Sequence, residues 1–123
     1  MTAVIRQWTI DARDIDLMAR FWAEALGYRL ERDGDGPTCH LWPPDDAPEG
    51  AVTVWVQHAG EPKTTKNRAH VDLRPADGDV DREVERLLSL GATYADVGQG
   101  PDEAFVVLRD PEGNEFCVLK VPR

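Results

Sequence analysis

Two stretches carry the side chains best suited to chemistry. "NRAHVDLR" places His70, Asp72 and Arg74 at alternate positions. Successive side chains of a strand point to opposite faces, so these three share one face while Ala69, Val71 and Leu73 share the other. "DPEGNEFCVL" places Glu115 directly after a tight turn, with Cys117 and Leu119 on its face and Phe116 and Val118 behind. An imidazole that changes charge near neutral pH can contact a polar ligand or hold a metal ion. Set against that are plainer alternatives: His70 bonded to Asp11 or Asp72, and Glu115 accepting bonds from nearby backbone N–H groups. Other reactive types are scattered. Cys39 and Cys117 form no CxxC pair and read as buried free thiols. His40 and His58 have no matching partners. Lys63, Lys66 and Arg68 form the one basic cluster, read as a solvated linker that could also draw an anionic ligand. Trp42 and Trp55 could form a stacking wall for a flat ligand, or fill core or a dimer interface. No glycine-rich phosphate loop or nucleophile elbow is written in the chain.

The elements that must position these residues follow a pattern. "VIRQWTI" is β-branched and aromatic, a strand. Asp14 caps a helix with Leu17, Phe21 and Ala25 at helical spacing, widened by Met18 and Trp22, and Gly27 suits its left-handed end. "YRLER" and "TCHLW" are strands around a "DGDG" hairpin signal, and "AVTVWVQ" is a further strand after the loop "PPDDAPEG". The order then repeats. "AHVDLR" is a strand, and Asp79 caps a helix carrying Val80, Val84, Leu87 and Leu88, closed by Gly91. "TYADV" is a strand, "GQGPDE" a loop, "AFVVLRD" a strand, "PEGN" a turn and "EFCVLK" the last strand. Pro-Glu-Gly occurs twice, at Glu49 and Glu112, 63 residues apart, and the helix-ending glycines are 64 apart. One βαβββ module is thus written twice, about 1–58 and 69–123, joined by a linker over 59–68. Each module lays one helix on one face of a short sheet. The expected fold is α+β, with two tandem modules whose bare sheets cup a cleft.

Composition bounds the partners. The chain has 123 residues, one domain's worth, 41% hydrophobic and 30% charged. Its 14 basic and 23 acidic residues leave a formal charge of -9, which argues against a nucleic-acid or anionic-membrane surface. No apolar run approaches a membrane span, and the N-terminus lacks the order of a signal peptide, so the chain is read as cytoplasmic.

Alternation turns Gln7, Thr9 and Asp11 to the same bare face as His70, with Trp8 and Ile10 on the helix side. A shift of 63 residues relates Gln7 to His70 and Val52 to Glu115, which names four equivalent positions. "FWAEALGY", "EPKTTKNRAHVDL", "LLSLGAT" and "DPEGNEFCV", in this order, resemble the vicinal oxygen chelate superfamily over nearly the whole chain, in particular its small glyoxalase-like subgroup. That superfamily includes glyoxalase I, bleomycin-resistance proteins, extradiol dioxygenases and methylmalonyl-CoA epimerase.

The resemblance implies a divalent metal (zinc, nickel, manganese or iron) held by the first and last strands of each module. The matching positions are Gln7, Val52, His70 and Glu115. Val52 has no lone pair to offer, and a neutral amide, an imidazole and one carboxylate make a weaker set, so the reading favours no metal. The expected function is then a bleomycin-resistance-like binder of a small organic ligand, flat or amine-bearing, in a cleft that includes Thr9, Asp11, Val52, Asp72, Arg74 and Cys117. The alternative is a metal-dependent lyase or isomerase like glyoxalase I or an epimerase, with Glu115 as base moving a proton between adjacent carbons. An extradiol dioxygenase fits less well, because Gln7 stands where a histidine should be. A homodimer is expected by the same resemblance.

Overall fold

Aspartates open both helices. The Asp14 carboxylate accepts the Leu17 backbone N–H at 3.0 Å, and Asp79 accepts that of Arg82 at 3.1 Å. Each satisfies one of the free donors of a first turn. Gly27 ends the first helix with φ 68, in the left-handed region that glycine adopts without steric cost. A computed structural model places these features and describes residues 1–96 and 103–120.

The chain divides into two compact units, one ending at Pro62 and the other beginning at Lys63. The first contains β1 (Gln7–Ala12), α1 (Ile15–Leu26), β2 (Arg29–Arg32), β3 (Cys39–Trp42) and β4 (Thr53–His58). Its sheet runs β1-β4-β3-β2, with β1 parallel to β4 and the other pairs antiparallel. The second contains β5 (Asp72–Leu73), α2 (Val80–Leu90), β6 (Thr93–Tyr94), β7 (Phe105–Arg109) and β8 (Glu115–Leu119), in the order β5-β8-β7-β6. Here β5 is parallel to β8 and the rest are antiparallel. The expected βαβββ module is therefore present twice.

Alternation sorts each strand. In β4, Val54 and Val56 are buried toward the helix, while Thr53, Trp55 and Gln57 take the other face half-buried. Trp22 of α1 meets Trp8 and Phe21 edge-on, with ring centroids 4.9 and 5.1 Å apart. Met18, Leu41 and Cys39 complete that core, and Leu87, Leu108, Phe116 and Val118 form the heart of the second.

Three expectations need correction. Leu17 is exposed, because the stripe of α1 centres on Met18 and Trp22 and runs through Ile15, Ala19 and Ala25. The strand expected over Ala69–Arg74 shortens to Asp72–Leu73, since Pro75 cannot continue a ladder and the bends before His70 break it at the other end. The strand expected at "TYADV" is Thr93–Tyr94. Val97 and the Gly98–Asp102 part of the expected loop lie outside the described residues.

Candidate functional site

The two Pro-Glu-Gly turns are not built alike, and this decides which residues are equivalent. In the first, the Ala51 N–H bonds the Pro48 carbonyl, with Gly50 at φ 94 inside the turn. In the second, the Gly113 N–H bonds the Asp110 carbonyl, so Gly113 closes the turn. Two residues then separate Gly50 from Thr53 at the start of β4, but only one separates Gly113 from Glu115 at the start of β8. The register follows: Gln7 pairs with Thr53, Thr9 with Trp55, and Asp72 with Cys117. Carried back two residues, the second register sets His70 level with Glu115. The structural counterpart of Glu115 is thus Thr53, and Val52, reached by counting from Pro-Glu-Gly, lies just before the strand.

In the first unit, Gln7 sits among neutral groups. Its Oε1 accepts the Thr53 hydroxyl at 3.4 Å, and its Nε2 donates to Thr9 Oγ1 at 3.4 Å. Asp11 accepts from Gln57 Nε2 at 2.7 Å, and the Val52 carbonyl accepts the Tyr28 hydroxyl at 2.9 Å. The same face carries a cluster the sequence reading passed over. Asp33 binds Thr38, His40 Nδ1 and Trp55 Nε1 at 2.7, 2.9 and 3.1 Å, and His40 stacks on Trp42 with ring centroids 4.8 Å apart. The bond to His40 holds the Asp33 carboxyl below its usual range. His40 is therefore partnered, because it pairs across the sheet with Trp55 and the hairpin returns Asp33 to it.

The second unit holds the denser constellation. Glu115 is buried, and its carboxylate accepts the Lys63 ammonium at 2.9 Å and the Asn67 backbone N–H at 2.8 Å. Burial pushes the Glu115 carboxyl up, but the Asn67 N–H and the Lys63 ammonium outweigh it and hold the group below the ordinary carboxylate range. Lys63 is only 18% exposed and also donates to the Thr65 carbonyl, so it is no solvated linker residue.

Beside this pair, His70 Nε2 lies 3.3 Å from Asp72 Oδ1. His70, Asp72 and Cys117 each offer a ligand atom, all within 4.8 Å of one another, a set that could hold a metal ion. Cys117 is buried, and burial together with the Asp72 carboxylate pushes its thiol up to about 11. At neutral pH that is a thiol and not an activated nucleophile. These residues line a hollow of about 320 Å³, with Lys66, His70, Asp72 and Glu115 as its polar wall and Phe105, Val107, Leu119 and Cys117 as its apolar wall. Arg74, expected on the same face, falls past the end of β5 and is not among the lining residues.

Whether the superfamily's metal fits these residues can be judged on the donors. Glu115 already has a cation and an N–H on its oxygens. Thr53 and Gln7 supply only a neutral hydroxyl and amide, bonded to each other. Neither the Gln7–Thr53 pair of the first unit nor Glu115 of the second therefore offers the free anionic donor that a divalent ion needs to offset its dehydration.

The doubled βαβββ architecture agrees with the resemblance drawn from the sequence. The chain belongs to the glyoxalase-like domain family, which matches residues 7–119. No curated protein matches the chain by sequence. Among solved structures, it is similar to the fosfomycin resistance protein FosX from Mesorhizobium loti, at 18% identity and TM-score 0.72, over 99% of this chain and 94% of that one. A glyoxalase/bleomycin resistance protein/dioxygenase family enzyme from Burkholderia phytofirmans aligns at 20% identity and TM-score 0.69, over 94% and 97% of the two chains. A FosX variant from Listeria monocytogenes, complexed with Mn(II) and 1S,2S-dihydroxypropylphosphonic acid, aligns at 12% identity and TM-score 0.75, over 99% and 93%. The two expected βαβββ modules and the glyoxalase-like family are thereby established. No helix among the described residues is long and apolar enough to cross a membrane.

Proposed function

We propose that this protein binds a small organic molecule in the hollow of its second unit, with no metal at the position its superfamily uses. The observation that carries the reading is the commitment of Glu115 to Lys63 and Asn67. A glyoxalase I-like or epimerase-like reaction would ask Glu115 to ligate a metal and take a proton. A carboxylate held below its usual range by the Asn67 N–H and the Lys63 ammonium is a poor base and an occupied ligand. The walls of the hollow suit a molecule with an apolar body against Phe105, Val107 and Leu119 and a hydrogen-bonding end at His70, Asp72 and Lys66.

The wider setting is part of the proposal. Two unpaired buried thiols suit the reducing cytoplasm, and the acidic balance suits no nucleic-acid partner. Assembly as a homodimer is supported by the sheet faces turned from each helix, where Trp42 and Trp55 stay partly exposed.

The test is a thermal-shift panel of small aromatic and aliphatic amines and carboxylates, run on the wild type and on Val107→Trp. The substitution fills the hollow. At least one class is expected to raise the melting temperature saturably in the wild type and to lose that effect in Val107→Trp. A panel without any saturable shift, or a shift that survives the substitution, would count against the reading.

A further inference from the structure

We infer that His70, Asp72 and Cys117 form a site for a thiophilic divalent cation of the zinc class, displaced from the position that Glu115 would serve. Asp72 pairs directly with Cys117 of the neighbouring strand, and His70, two residues ahead of Asp72, brings its Nε2 to the Asp72 carboxylate. Directly paired residues of adjacent strands share a face, so the carboxylate and the thiol converge, and the imidazole joins them from the segment just before β5. Their ligand atoms all lie within 4.8 Å of one another.

The distances suit a tetrahedral ion. With ligand bonds of about 2.0–2.2 Å to nitrogen and oxygen, a tetrahedral edge between the two is roughly 3.4 Å. His70 Nε2 and Asp72 Oδ1 are 3.3 Å apart. A thiolate and a carboxylate neutralise a doubly charged ion, so Lys66 on the wall of the hollow would face no net positive charge. Sulfur selects zinc-class ions over magnesium, calcium or manganese. His70 and Asp72 are open to solvent, with side chains 38% and 45% exposed, while Cys117 is buried. Three protein ligands on an open hollow leave one position for water or a ligand, as in catalytic rather than structural zinc sites. Glu115 takes no part, being held by Lys63.

This inference does not depend on the ligand proposed above, and its experiment reads the metal alone. Chelator-treated protein is titrated with cobalt(II) and followed by absorption. The expected result is a thiolate-to-cobalt charge-transfer band and intense visible bands of four-coordinate cobalt, saturating at one ion per chain and bleached by zinc. Cys117→Ser is expected to abolish the charge-transfer band, and Cys39→Ser to leave it unchanged. Asp72→Asn, at an exposed position that keeps the fold, is expected to weaken cobalt binding at least tenfold. Absence of the band in the wild type, a band that survives Cys117→Ser, or unchanged affinity in Asp72→Asn would overturn the assignment.

Discussion

Lys63→Met is expected to destabilise the protein by about 3 kcal/mol, the scale on which removing one partner of a buried ion pair leaves the other charge uncompensated. The side chains concerned are 18% and 6% exposed, so solvent cannot take over the role of the ammonium. After the substitution Glu115 retains the Asn67 N–H but no counter-charge. Urea denaturation of the two proteins measures the loss. The double substitution Lys63→Met/Glu115→Gln should recover more than half of it, because a neutral amide no longer needs the cation.

The pH dependence of this loss has a definite sign. The folded Glu115 carboxyl lies below its unfolded value of about 4.3, so its contribution is complete above that pH and drains away as pH falls through the folded value. The deficit of Lys63→Met should therefore be full at pH 7 and shrink once the pH drops below about 4. An equal deficit at pH 7 and at pH 3 would mean that Lys63 stabilises by packing of its stem.

Asp110→Ala should cost a comparable amount, about 3 kcal/mol, because it strips a buried acceptor from several donors at once. Asp110 is 3% exposed. Its Oδ1 accepts the backbone N–H groups of Glu112 and Asn114 at 3.0 and 2.9 Å, and the Asn114 side chain donates to both carboxylate oxygens. These bonds hold the turn that delivers Glu115 to the start of β8. In a chain of this size the expected fall in melting temperature is roughly 10 °C. Asp110→Asn, which keeps one acceptor oxygen, should fall less than half as far. Equal melting temperatures for the wild type and Asp110→Ala would show that the turn is held by Pro111 and Gly113 alone.

Much of the architecture was legible because it rests on local rules. Helix caps at Asp14 and Asp79, glycine at helix ends and strict alternation in "TVWVQ" act over a few residues, and the repeated order multiplies their force. The shared faces of Gln7 with Thr9 and of Asp72 with its partner Cys117 are consistent with the same alternation. What stayed hidden was set by one residue or by contacts far apart in sequence. A single extra residue after Gly50 moved the counterpart of Glu115 from Val52 to Thr53, and no composition rule records where a turn closes. Lys63 reaches Glu115 from 52 positions away, so it looked like a charged linker. The available hint was energetic: a strand-borne glutamate on a half-apolar face needs a cation, and "EPKTTKNR" is where the nearest lysines stand. His40 was passed over for the same reason, since its partner Asp33 is brought back only by the hairpin.

The measurement that bears most directly on this account is a manganese(II) titration of the wild type and Glu115→Gln, read as free manganese by electron paramagnetic resonance. Manganese prefers oxygen and nitrogen donors, so it probes the superfamily position and not the sulfur-bearing cluster. With Glu115 closed by Lys63, neither protein should take up manganese stoichiometrically. One tightly bound manganese per chain in the wild type, lost in Glu115→Gln, would mean that Lys63 yields to the metal and that the enzyme reading is the right one.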